Sequence, residues 1–340
     1  MLPMIKVSIC IVTLNRRNFI GETLTAILDQ LPRNWEIIVV DGASTDGTKD
    51  VVEELFQGRS NCHYFRLQEK GGVDQDYSVA VENACGEFCW LMTDDDIVTT
   101  GAIDKVLSKL GDDLDLLLVN STVFNPELSE VLIERRLQIS DDRRFEPGSI
   151  SELMAVAGDL LSFIGTVVIR TSVWKARTQS PYFGTEFVHV GVIFQKPLER
   201  AAIAIAEPLI RIRYGNAQWT PRTFQIWMFK WPQLIWSFAD VSESAKRAVV
   251  LEKPYKHFSQ LLGMKVSGSF GLRQYRDHLC REQMSFMHWF PIWLLAVFPG
   301  VIFNPMLRVV AAIRKWPPMT RFELAASPDN FLRPRHRRRK

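Results

Sequence analysis

Cysteine is scarce in this sequence: it contributes five of the 340 residues, and no two of them have the spacing of paired metal ligands. Four of them lie within or beside apolar runs, so we expect reduced core residues in a cytosolic compartment. The N-terminal segment lacks an uninterrupted apolar stretch, because Lys6, Ser8 and Thr13 interrupt it, and we expect no secretory signal. The body of the chain also lacks internal repeats and low-complexity segments. With 47% hydrophobic residues, the chain can bury a substantial core.

Acidic residues are scarce only in the rear of the chain. Residues 201–340 carry 22 Lys and Arg against 8 Asp and Glu, whereas residues 1–200 carry 19 against 30. The two parts therefore have formal charges of about +14 and −11. An acidic front argues against nucleic-acid binding, and a basic rear suits an anionic membrane surface. We expect no nucleic-acid partner.

Short apolar runs alternate with segments of helical spacing over the first 120 residues. Strands are predicted near residues 5–12, 36–40, 63–67, 87–92 and 114–119, with helices near 18–30, 47–56, 75–84 and 101–110. Such alternation with short connections predicts an α/β fold with a Rossmann-like, doubly wound, mostly parallel sheet. Ligands bind such sheets beyond the carboxyl ends of the strands, so the polar residues there are the candidate site.

Asp41 directly follows the apolar run at residues 37–40 and begins the segment DGASTDGT. A carboxylate at this strand end can accept hydrogen bonds from a nucleobase or a ribose. Alternatively, Asp41, Ser44 and Asp46 form a turn and cap the helix that starts near Gly47, which suits their residue types equally well.

Three adjacent acids, Asp94, Asp95 and Asp96, follow another buried run at residues 88–92. Their mutual repulsion requires a cation or donor groups as compensation. Mg or Mn is the natural cation, because it joins one or two carboxylates to substrate phosphates such as those of a nucleoside diphosphate. The alternative is an exposed loop that caps the helix at Gly101. A Gly71-Gly72 loop before the third helix adds a further strand end to the same crevice.

The residues at these strand ends resemble family 2 glycosyltransferases of the GT-A fold. Residues 7–15 (VSICIVTLN) resemble the first strand and nucleotide-contacting loop of that family, and residues 39–48 (VVDGASTDGT) its second strand and base-binding aspartate. The Asp triplet resembles the family's DXD-type motif. Other matching positions are Gly71-Gly72, Asn83 and Gly86-Glu87-Phe88. Residues 90–96 (WLMTDDD) and 182–189 (YFGTEFVH) are also similar to bacterial O-antigen-type, abequosyltransferase-like enzymes.

The resemblance implies a donor site for a nucleoside diphosphate sugar. Thr13, Asn15 and Asp41 would contact the nucleoside, and Gly71 belongs to the loop beside them. Within the triplet, Asp94 or Asp95 would contact the ribose side, and Asp95 or Asp96 would hold Mg or Mn on the pyrophosphate. The family pattern is Asp-x-Asp-Asp, and Thr93 stands in place of its first acid. The register of roles within the triplet therefore stays open.

The resemblance also implies an inverting reaction in which a carboxylate deprotonates the acceptor hydroxyl. Glu186 is the candidate base, because it is the only acidic residue between Asp159 and Glu199, and His189 could assist or replace it. A capping glutamate and a packed core histidine are the structural alternatives, and Asp159 is a further candidate base. Three arginines could neutralise the diphosphate or lie on the surface: Arg211, Arg213 and Arg222.

The composition changes after residue 218, and seven of the ten tryptophans lie between Trp219 and Trp316. We therefore divide the chain into a transferase domain (1–215), a helical, aromatic-rich, membrane-associating extension (216–325) and a flexible basic tail (326–340). Residues 286–303 are mostly apolar but contain Pro291 and Pro299, which suits an element lying on a membrane better than one crossing it. The tail suits anionic headgroups, although a tail without a partner has the same composition, and a nucleic-acid or localisation role for it also stays open.

The sequence thus predicts a hexosyl- or deoxyhexosyltransferase, peripheral on the cytoplasmic face of the plasma membrane, in cell-surface polysaccharide or glycolipid synthesis. Its acceptor would be a glycan or a lipid-linked sugar. Two other functions stay open, namely a catalytically silent sugar-nucleotide-binding or scaffold subunit and a nucleotidyltransferase. The nucleotidyltransferase ranks last, because residues 13–17 lack the glycines of a phosphate-binding loop.

Overall fold

The computed structural model of the chain describes residues 6–216 and 220–330. Its strands are β1 (Val7–Thr13), β2 (Trp35–Asp41), β3 (Cys62–Arg66), β4 (Phe88–Met92), β5 (Ile97–Val98), β6 (Leu114–Phe124), β7 (Val131–Ile133), β8 (Arg143–Phe145), β9 (Val167–Arg170) and β10 (Ala201–Arg213).

Its α-helices are α1 (Ile20–Leu28), α2 (Thr48–Phe56), α3 (Val73–Glu82), α4 (Ala102–Lys109), α5 (Ile150–Ala157), α6 (Thr171–Lys175), α7 (Val188–Phe194), α8 (Thr223–Gln225), α9 (Trp231–Ser237), α10 (Glu243–Val249), α11 (Phe258–Val266), α12 (Leu272–Gln274), α13 (Phe286–Val297), α14 (Gly300–Ile313) and α15 (Pro318–Ala326). Helical turns of the 3-10 type lie at Leu160–Ser162, Ile164–Thr166, Ser180–Tyr182, Thr220–Arg222 and Pro254–Lys256, and π-helical turns at Ile226–Lys230 and Tyr275–Leu279.

The described residues fall into two compact units. Unit 1 comprises residues 6–124, 134–213 and 234–249, and unit 2 comprises residues 125–133, 214–233 and 250–330. The main part of unit 1 therefore ends two residues before the boundary predicted at 215, and a later segment that contains α10 also belongs to it. Of the basic tail predicted at 326–340, residues 331–340 lie outside the described part of the chain.

Unit 1 is built on a sheet with the strand order β3-β2-β1-β4-β9-β6-β10-β5. Strands β3, β2, β1 and β4 run parallel to one another, and β6 is parallel to β10. β9 runs antiparallel to both β4 and β6, and the short β5 and β8 run antiparallel to β10. The predicted α/β class with a mostly parallel sheet is confirmed, while the reversed β9 was not predicted.

The central strands are buried on both faces, which explains why they read as continuous apolar runs without alternation. Every residue of β2 and of β4 is buried, and so are all but one of β1. Trp35 of β2 and Trp90 of β4 meet edge to face, with their ring centroids 6.5 Å apart. This core fixes the strands whose ends carry the candidate residues.

The strand register aligns the ends that the sequence singled out. Thr13, the last residue of β1, pairs with Asp41, which in turn pairs with Arg66. On the other side of β1, Ile11 pairs with Met92, two residues before the Asp triplet. Because these strands are parallel, their carboxyl ends lie along one edge of the sheet, as expected.

Unit 2 is helical, and it encloses its own apolar cluster. Buried members come from three of its α-helices, one 3-10 turn and both π-helical turns, among them Phe224, Leu261, Leu279, Ile292 and Leu295. Within the described residues, no individual helix has both the length and the apolarity needed to cross a membrane. Helices α13 and α14 reach that length and apolarity only as a pair, and the pair is bent by 94°.

Two cysteine environments differ from the expectation. Cys10 and Cys89 are buried, as predicted, but Cys85 is exposed, because it lies in the turn between α3 and β4 rather than in either element. Cys280 is also exposed, and all five cysteines are free thiols.

Candidate active site

The loops after β1 and β2 are joined into one wall by hydrogen bonds. The Asn15 N–H donates to Ser44 Oγ at 2.8 Å, and Asn15 Oδ1 accepts from the Thr45 N–H at 2.8 Å. The Gly42 N–H donates to the Thr13 carbonyl at 2.9 Å. Asn15 adopts a left-handed φ of 54°, which asparagine tolerates better than most residues. Thr13 ends β1 and Asn15 lies in the loop after it, and the Asn15 side chain joins the two loops.

Asp41 is fully buried at the end of β2. Its carboxylate accepts from the Tyr64 hydroxyl at 2.5 Å and from the Ser44 N–H at 2.7 Å. Burial and the adjacent Asp41 charge raise the pKa of Tyr64, which keeps its hydroxyl a donor. The turn-capping alternative is therefore partly correct, but each carboxylate oxygen has a second lone pair with which it can accept from a ligand.

Asp76 on α3 adds a second carboxylate beside Asp41. A Cβ on Gly42 would lie 3.1 Å from Asp76 Oδ2, and a Cβ on Gly71 would lie 3.1 Å from Asp76 Oδ1. The carboxylate therefore lies between the backbones of the second and third loops, at a distance that only glycine permits without adjustment. Burial raises the pKa of Asp76 to about 6, and the charge of Asp41 adds to this effect.

The three carboxylates that follow β4 are buried, with 8%, 8% and 2% exposure for Asp94, Asp95 and Asp96. Arg16 lies between the first two, since its Nε is 3.4 Å from Asp94 Oδ1 and its Nη2 is 3.6 Å from Asp95 Oδ2. Burial, followed by the charge of Asp95, raises the pKa of Asp94 to about 7, although Arg16 opposes the shift. Burial also raises the pKa of Asp96 well above its ordinary value, and Asp95 again adds to the shift.

Asp96 connects the triplet to the neighbouring structure. Its Oδ1 accepts from the Arg213 N–H at 2.7 Å, and its Oδ2 accepts from the Thr93 hydroxyl. The Arg213 side chain donates to the Asp95 carbonyl at 3.0 Å. Beneath the triplet, the Tyr77 hydroxyl of α3 donates to the Met92 carbonyl at 2.8 Å. Thr93, which stands where the family pattern has an acid, thus supports the conformation of Asp96.

The donor set of this edge fits a hard divalent cation. Mg and Mn take oxygen ligands and commonly use only one or two carboxylates together with substrate phosphates. The side-chain oxygens of Asp94 and Asp95 are such ligands, and both carboxylates lie within ion-pair distance of Arg16. No group of three or more His, Cys, Asp or Glu side chains in the described part of the chain has the geometry of a complete metal site. A divalent cation commonly combines one or two such carboxylates with phosphate oxygens of the substrate.

The turn that carries Glu186 is held by Asp74, in the first turn of α3. Asp74 Oδ2 accepts from the Glu186 N–H at 2.9 Å, and Asp74 Oδ1 accepts from the Val188 N–H at 3.0 Å. Glu186 itself has a φ of 75° and is half-buried. Burial raises the pKa of Asp74, and the nearby Glu186 charge adds to this, while the backbone N–H groups oppose it. These bonds place the Glu186 backbone beside the start of α3. That helix begins directly after the Gly71-Gly72 loop.

His189, the second predicted catalytic residue, lies in the core rather than on an accessible surface. It is 1% exposed on α7, and its Nε2 lies 2.8 Å from the Leu161 carbonyl. Burial lowers the pKa of His189 to about 4, so the ring is neutral at pH 7. This is the arrangement of a packed core histidine, the alternative considered above. Asp159 is largely exposed and forms a 3.4 Å ion pair with Arg136.

The three candidate arginines have different surroundings. Arg213 is buried and contacts the triplet directly; it also pairs with Glu22 at 2.6 Å. Arg211 lies over the Phe124 ring, with 5.8 Å between the guanidinium carbon and the ring centroid. Arg222 is an exposed residue of unit 2. Of these three, Arg213 contacts the triplet through the Asp96 carboxylate and the Asp95 carbonyl and supports its backbone.

Sequence reasoning missed three residues of this edge: Arg16, Asp74 and Asp76. A signal for the two acids was present, because they follow the Gly71-Gly72 loop in the same way that Asp41 and the triplet follow β2 and β4. The rule that singled out the other strand ends applies equally to the end of β3. Arg16 carries no comparable signal, since only the fold brings it to Asp94 and Asp95.

Solved structures share this architecture. The UDP complex of residues 1–349 of TarS from S. aureus matches with a TM-score of 0.59 at 14% identity, over 94% of this chain and 90% of that one. The mannosyltransferase PcManGT from Pyrobaculum calidifontis, in complex with GDP-Man and Mn2+, matches with a TM-score of 0.54 at 14% identity, over 94% and 85%. These likenesses give unit 1 the GT-A fold.

Sequence comparison identifies the family. Residues 8–171 match the model of glycosyl transferase family 2. Abequosyltransferase RfbV of Salmonella typhimurium is 24% identical over 225 residues, which cover 62% of this chain and 67% of that protein. Two further curated relatives, each 32% identical, are matched over only 40% and 34% of their own length. Residues 8–171 thus match glycosyl transferase family 2, and the glycosyltransferase that the resemblance implied is confirmed.

Proposed function

We propose that this protein transfers a sugar from a nucleoside diphosphate sugar to a glycan or lipid-linked acceptor, in the synthesis of a cell-surface polysaccharide or glycolipid. The observation that carries the proposal is the convergence of Asn15, Asp41 and the Asp94–Asp95 pair at one edge of the sheet. The named activity of RfbV and the UDP and GDP-Man ligands of the matched structures support a nucleotide-sugar donor.

On the donor side, the nucleoside would contact Thr13, Asn15 and Asp41. Gly71 has no side chain, so the protein backbone at this position could approach the nucleoside closely. Asp41 and Asp76 offer carboxylate oxygens, so a base that presents N–H donors to them is favoured. Arg16 would exchange part of its contact with Asp94 and Asp95 for the diphosphate oxygens, because a guanidinium binds phosphate well.

We propose Asp95 as the principal carboxylate ligand for Mg or Mn, with Asp94 on the ribose side. Asp96, also predicted as a ligand, accepts from Thr93 and the Arg213 N–H, and we assign it to holding the triplet in place. When bound, the cation would neutralise charge on the leaving diphosphate. The Mn2+ in the PcManGT structure supports a divalent ion.

For the chemical step we propose Glu186 as the general base of an inverting displacement. Its carboxylate would accept the proton of the acceptor hydroxyl, whose oxygen attacks the anomeric carbon while the bond to the diphosphate oxygen breaks. His189 is not included, because its buried ring already contacts Leu161. The Asp74 contacts support Glu186, since they hold its turn at the start of α3.

We further propose that the enzyme acts at the cytoplasmic face of the plasma membrane as a peripheral protein. The apolar α13 and α14, and the basic character of residues 201–340, support a partner surface of anionic lipid.

The test is a thermal-shift screen against UDP, CDP, GDP and dTDP, each with and without Mn, followed by turnover of the sugar donor of the best nucleotide. A ligand that binds the folded state raises its melting temperature by mass action. We expect a metal-dependent shift with one nucleotide.

Asp95→Asn should abolish that metal dependence and lower turnover by at least about a hundredfold, because it weakens binding of the cation that neutralises the leaving diphosphate, and loss of one group that stabilises a developing anion costs about 2.7–4 kcal/mol. Asp104→Asn, which changes an exposed acid on α4, is the matched control and should behave like wild type. A nucleotide shift without any turnover would instead indicate the silent binding subunit.

A further inference from the structure

Most exposed apolar side chains of the described residues lie in one short segment. Of the sixteen large hydrophobic side chains that are exposed there, twelve fall between residues 286 and 313. Met287 and Ile313 are 81% and 75% exposed. We call this segment, α13 and α14 with the break between them, the apolar corner.

Both helices of the apolar corner are apolar on two opposite faces. On α13, Ile292, Leu295 and Ala296 face the buried cluster of unit 2, and a second stripe at helical spacing points outward: Phe286, Phe290, Leu294 and Val297. On α14, Ala311 is buried, and the outward stripe contains Ile302, Met306, Val309 and Ile313. A surface helix of a water-soluble domain normally has a polar outer face, so this outer surface suits an apolar environment.

The dimensions fit one leaflet of a bilayer rather than a crossing. α13 has 12 residues and α14 has 14, which correspond to roughly 18 Å and 21 Å of helix. The 94° bend between them keeps the two from adding up to the roughly 30 Å of a hydrocarbon core. The Trp289 and Trp293 rings stack at 5.8 Å beside the outward stripe, and tryptophan favours the membrane interface.

The charges select an anionic surface. Residues 283–322 contain no Asp or Glu, and their cations are Arg308, Arg314, Lys315 and Arg321. A second copy of this chain would bring the same cations against each other, whereas anionic lipid supplies the opposite charge.

We propose that the apolar corner inserts its outward stripes into one leaflet of a membrane that contains anionic lipid, with the four cations at the headgroups. This proposal deepens the membrane association proposed above and assigns it to residues 286–321. Vesicle binding requires neither donor nor turnover, so its failure would leave the transferase assignment intact, and the reverse also holds.

The experiment is co-sedimentation of the full chain with vesicles of phosphatidylcholine containing one third phosphatidylglycerol. The triple variant Met287→Gln, Met306→Gln, Ile313→Gln removes exposed apolar side chains without touching the core. We expect its partition coefficient to fall at least about tenfold, since several side chains lose their apolar surroundings. The matched control Phe258→Gln with Leu272→Gln, exposed in the same unit but outside the corner, should stay within about twofold of wild type.

A second variant tests the charge. Arg314→Gln with Lys315→Gln should lower binding several-fold on the anionic vesicles and change it little on pure phosphatidylcholine. The proposal is overturned if wild type does not bind the vesicles, or if the triple variant binds as wild type does. It is also overturned if sedimentation velocity shows a wild-type dimer that the triple variant abolishes while vesicles bind neither protein. An unchanged nucleotide thermal shift verifies that each variant is folded.

Discussion

Asp74 uses both of its carboxylate oxygens to hold the turn on which Glu186 lies. In Asp74→Asn, one oxygen becomes an NH2 group that cannot accept, so one of the two backbone N–H groups loses its acceptor. An unsatisfied buried group costs about 1–3 kcal/mol, and the turn should lose its defined position. We expect kcat to fall about tenfold or more, with less than about a twofold change in KM for the donor.

The measurement is steady-state turnover of the donor identified by the thermal-shift screen. Asp50→Asn is the matched control, because Asp50 is an exposed acid in the first turn of α2. If Asp74→Asn changes kcat and KM together, or lowers stability alone, Asp74 does not position the base.

His189 should make the stability of the protein depend on pH. Its pKa is about 4 in the folded chain and about 6.5 when unfolded, so between these values only the unfolded state takes up the proton. The stabilisation is therefore complete above about pH 6.5 and is lost as the pH falls towards 4. It amounts to about 3 kcal/mol at about 1.4 kcal/mol per pKa unit.

In His189→Asn this contribution is absent. As the pH is lowered from about 6.5 to 4, we expect the melting temperature of the wild type to fall more than that of the variant, so the difference between them becomes smaller. His288→Asn, at an exposed histidine of α13, should show no such change. A constant gap would mean that His189 is not a buried neutral ring.

At the residue scale, sequence reasoning found what lies directly after a buried strand and missed what the fold brings in from elsewhere. Asp41 and Asp94–Asp96 follow apolar runs, and their place could be predicted from the alternation of strands and helices. Arg16 and Asp74 act through contacts with residues far away in the chain, Asp94 and Glu186. For His189, no pattern in the sequence separates a packed ring from a catalytic one, because only burial makes the difference.

At the scale of elements, Gly86 shows how closely β1 and the turn before β4 approach. A Cβ at this position would lie 2.5 Å from the Ser8 backbone nitrogen and 2.7 Å from Ser8 Oγ. The Gly86 N–H also donates to Ser8 Oγ at 2.8 Å, which makes a shift of the turn costly.

Gly86→Ala should therefore lower the free energy of unfolding by about 1–3 kcal/mol, the usual cost of overpacking. Its melting temperature should drop by several degrees in a calorimetric scan. Gly263→Ala serves as the control, since a Cβ there has nothing within 4 Å and alanine favours the helix. An unchanged melting temperature for Gly86→Ala would contradict the close packing of these two elements.

The elements of the front part could be predicted because local patterns and the tertiary fold agree there. The helices and strands up to β4 lie within about two residues of the predicted ones, whereas β6 extends to Phe124, five residues past its predicted end. The direction of β9 could not be predicted, since a buried four-residue strand such as Val167–Arg170 reads the same when it runs parallel or antiparallel. Its antiparallel pairing depends on β4 and β6, which are distant in sequence.

At the scale of the whole molecule, the charge counts and the clustering of tryptophan indicated a second region, and unit 2 exists as a compact unit. Its exact extent could not be predicted, because each unit contains a segment that is distant in sequence from the rest of it. Residues 125–133 belong to unit 2, and residues 234–249 belong to unit 1. A composition change marks where the chain alters in character, but contacts decide which segments pack together.

The pairing of β6 with β10 has a consequence for the synthesis of the protein. It joins Leu114 to Ala201, so the sheet of unit 1 stays incomplete on the ribosome until Arg213 has emerged. The apolar corner begins only at Phe286, after every strand of that sheet. Domains fold as units during translation, and exposed apolar surface beside an unfinished sheet promotes aggregation. Because of this order, the most apolar exposed surface is synthesised only after the strands of the unit 1 sheet, when that sheet can already be folded.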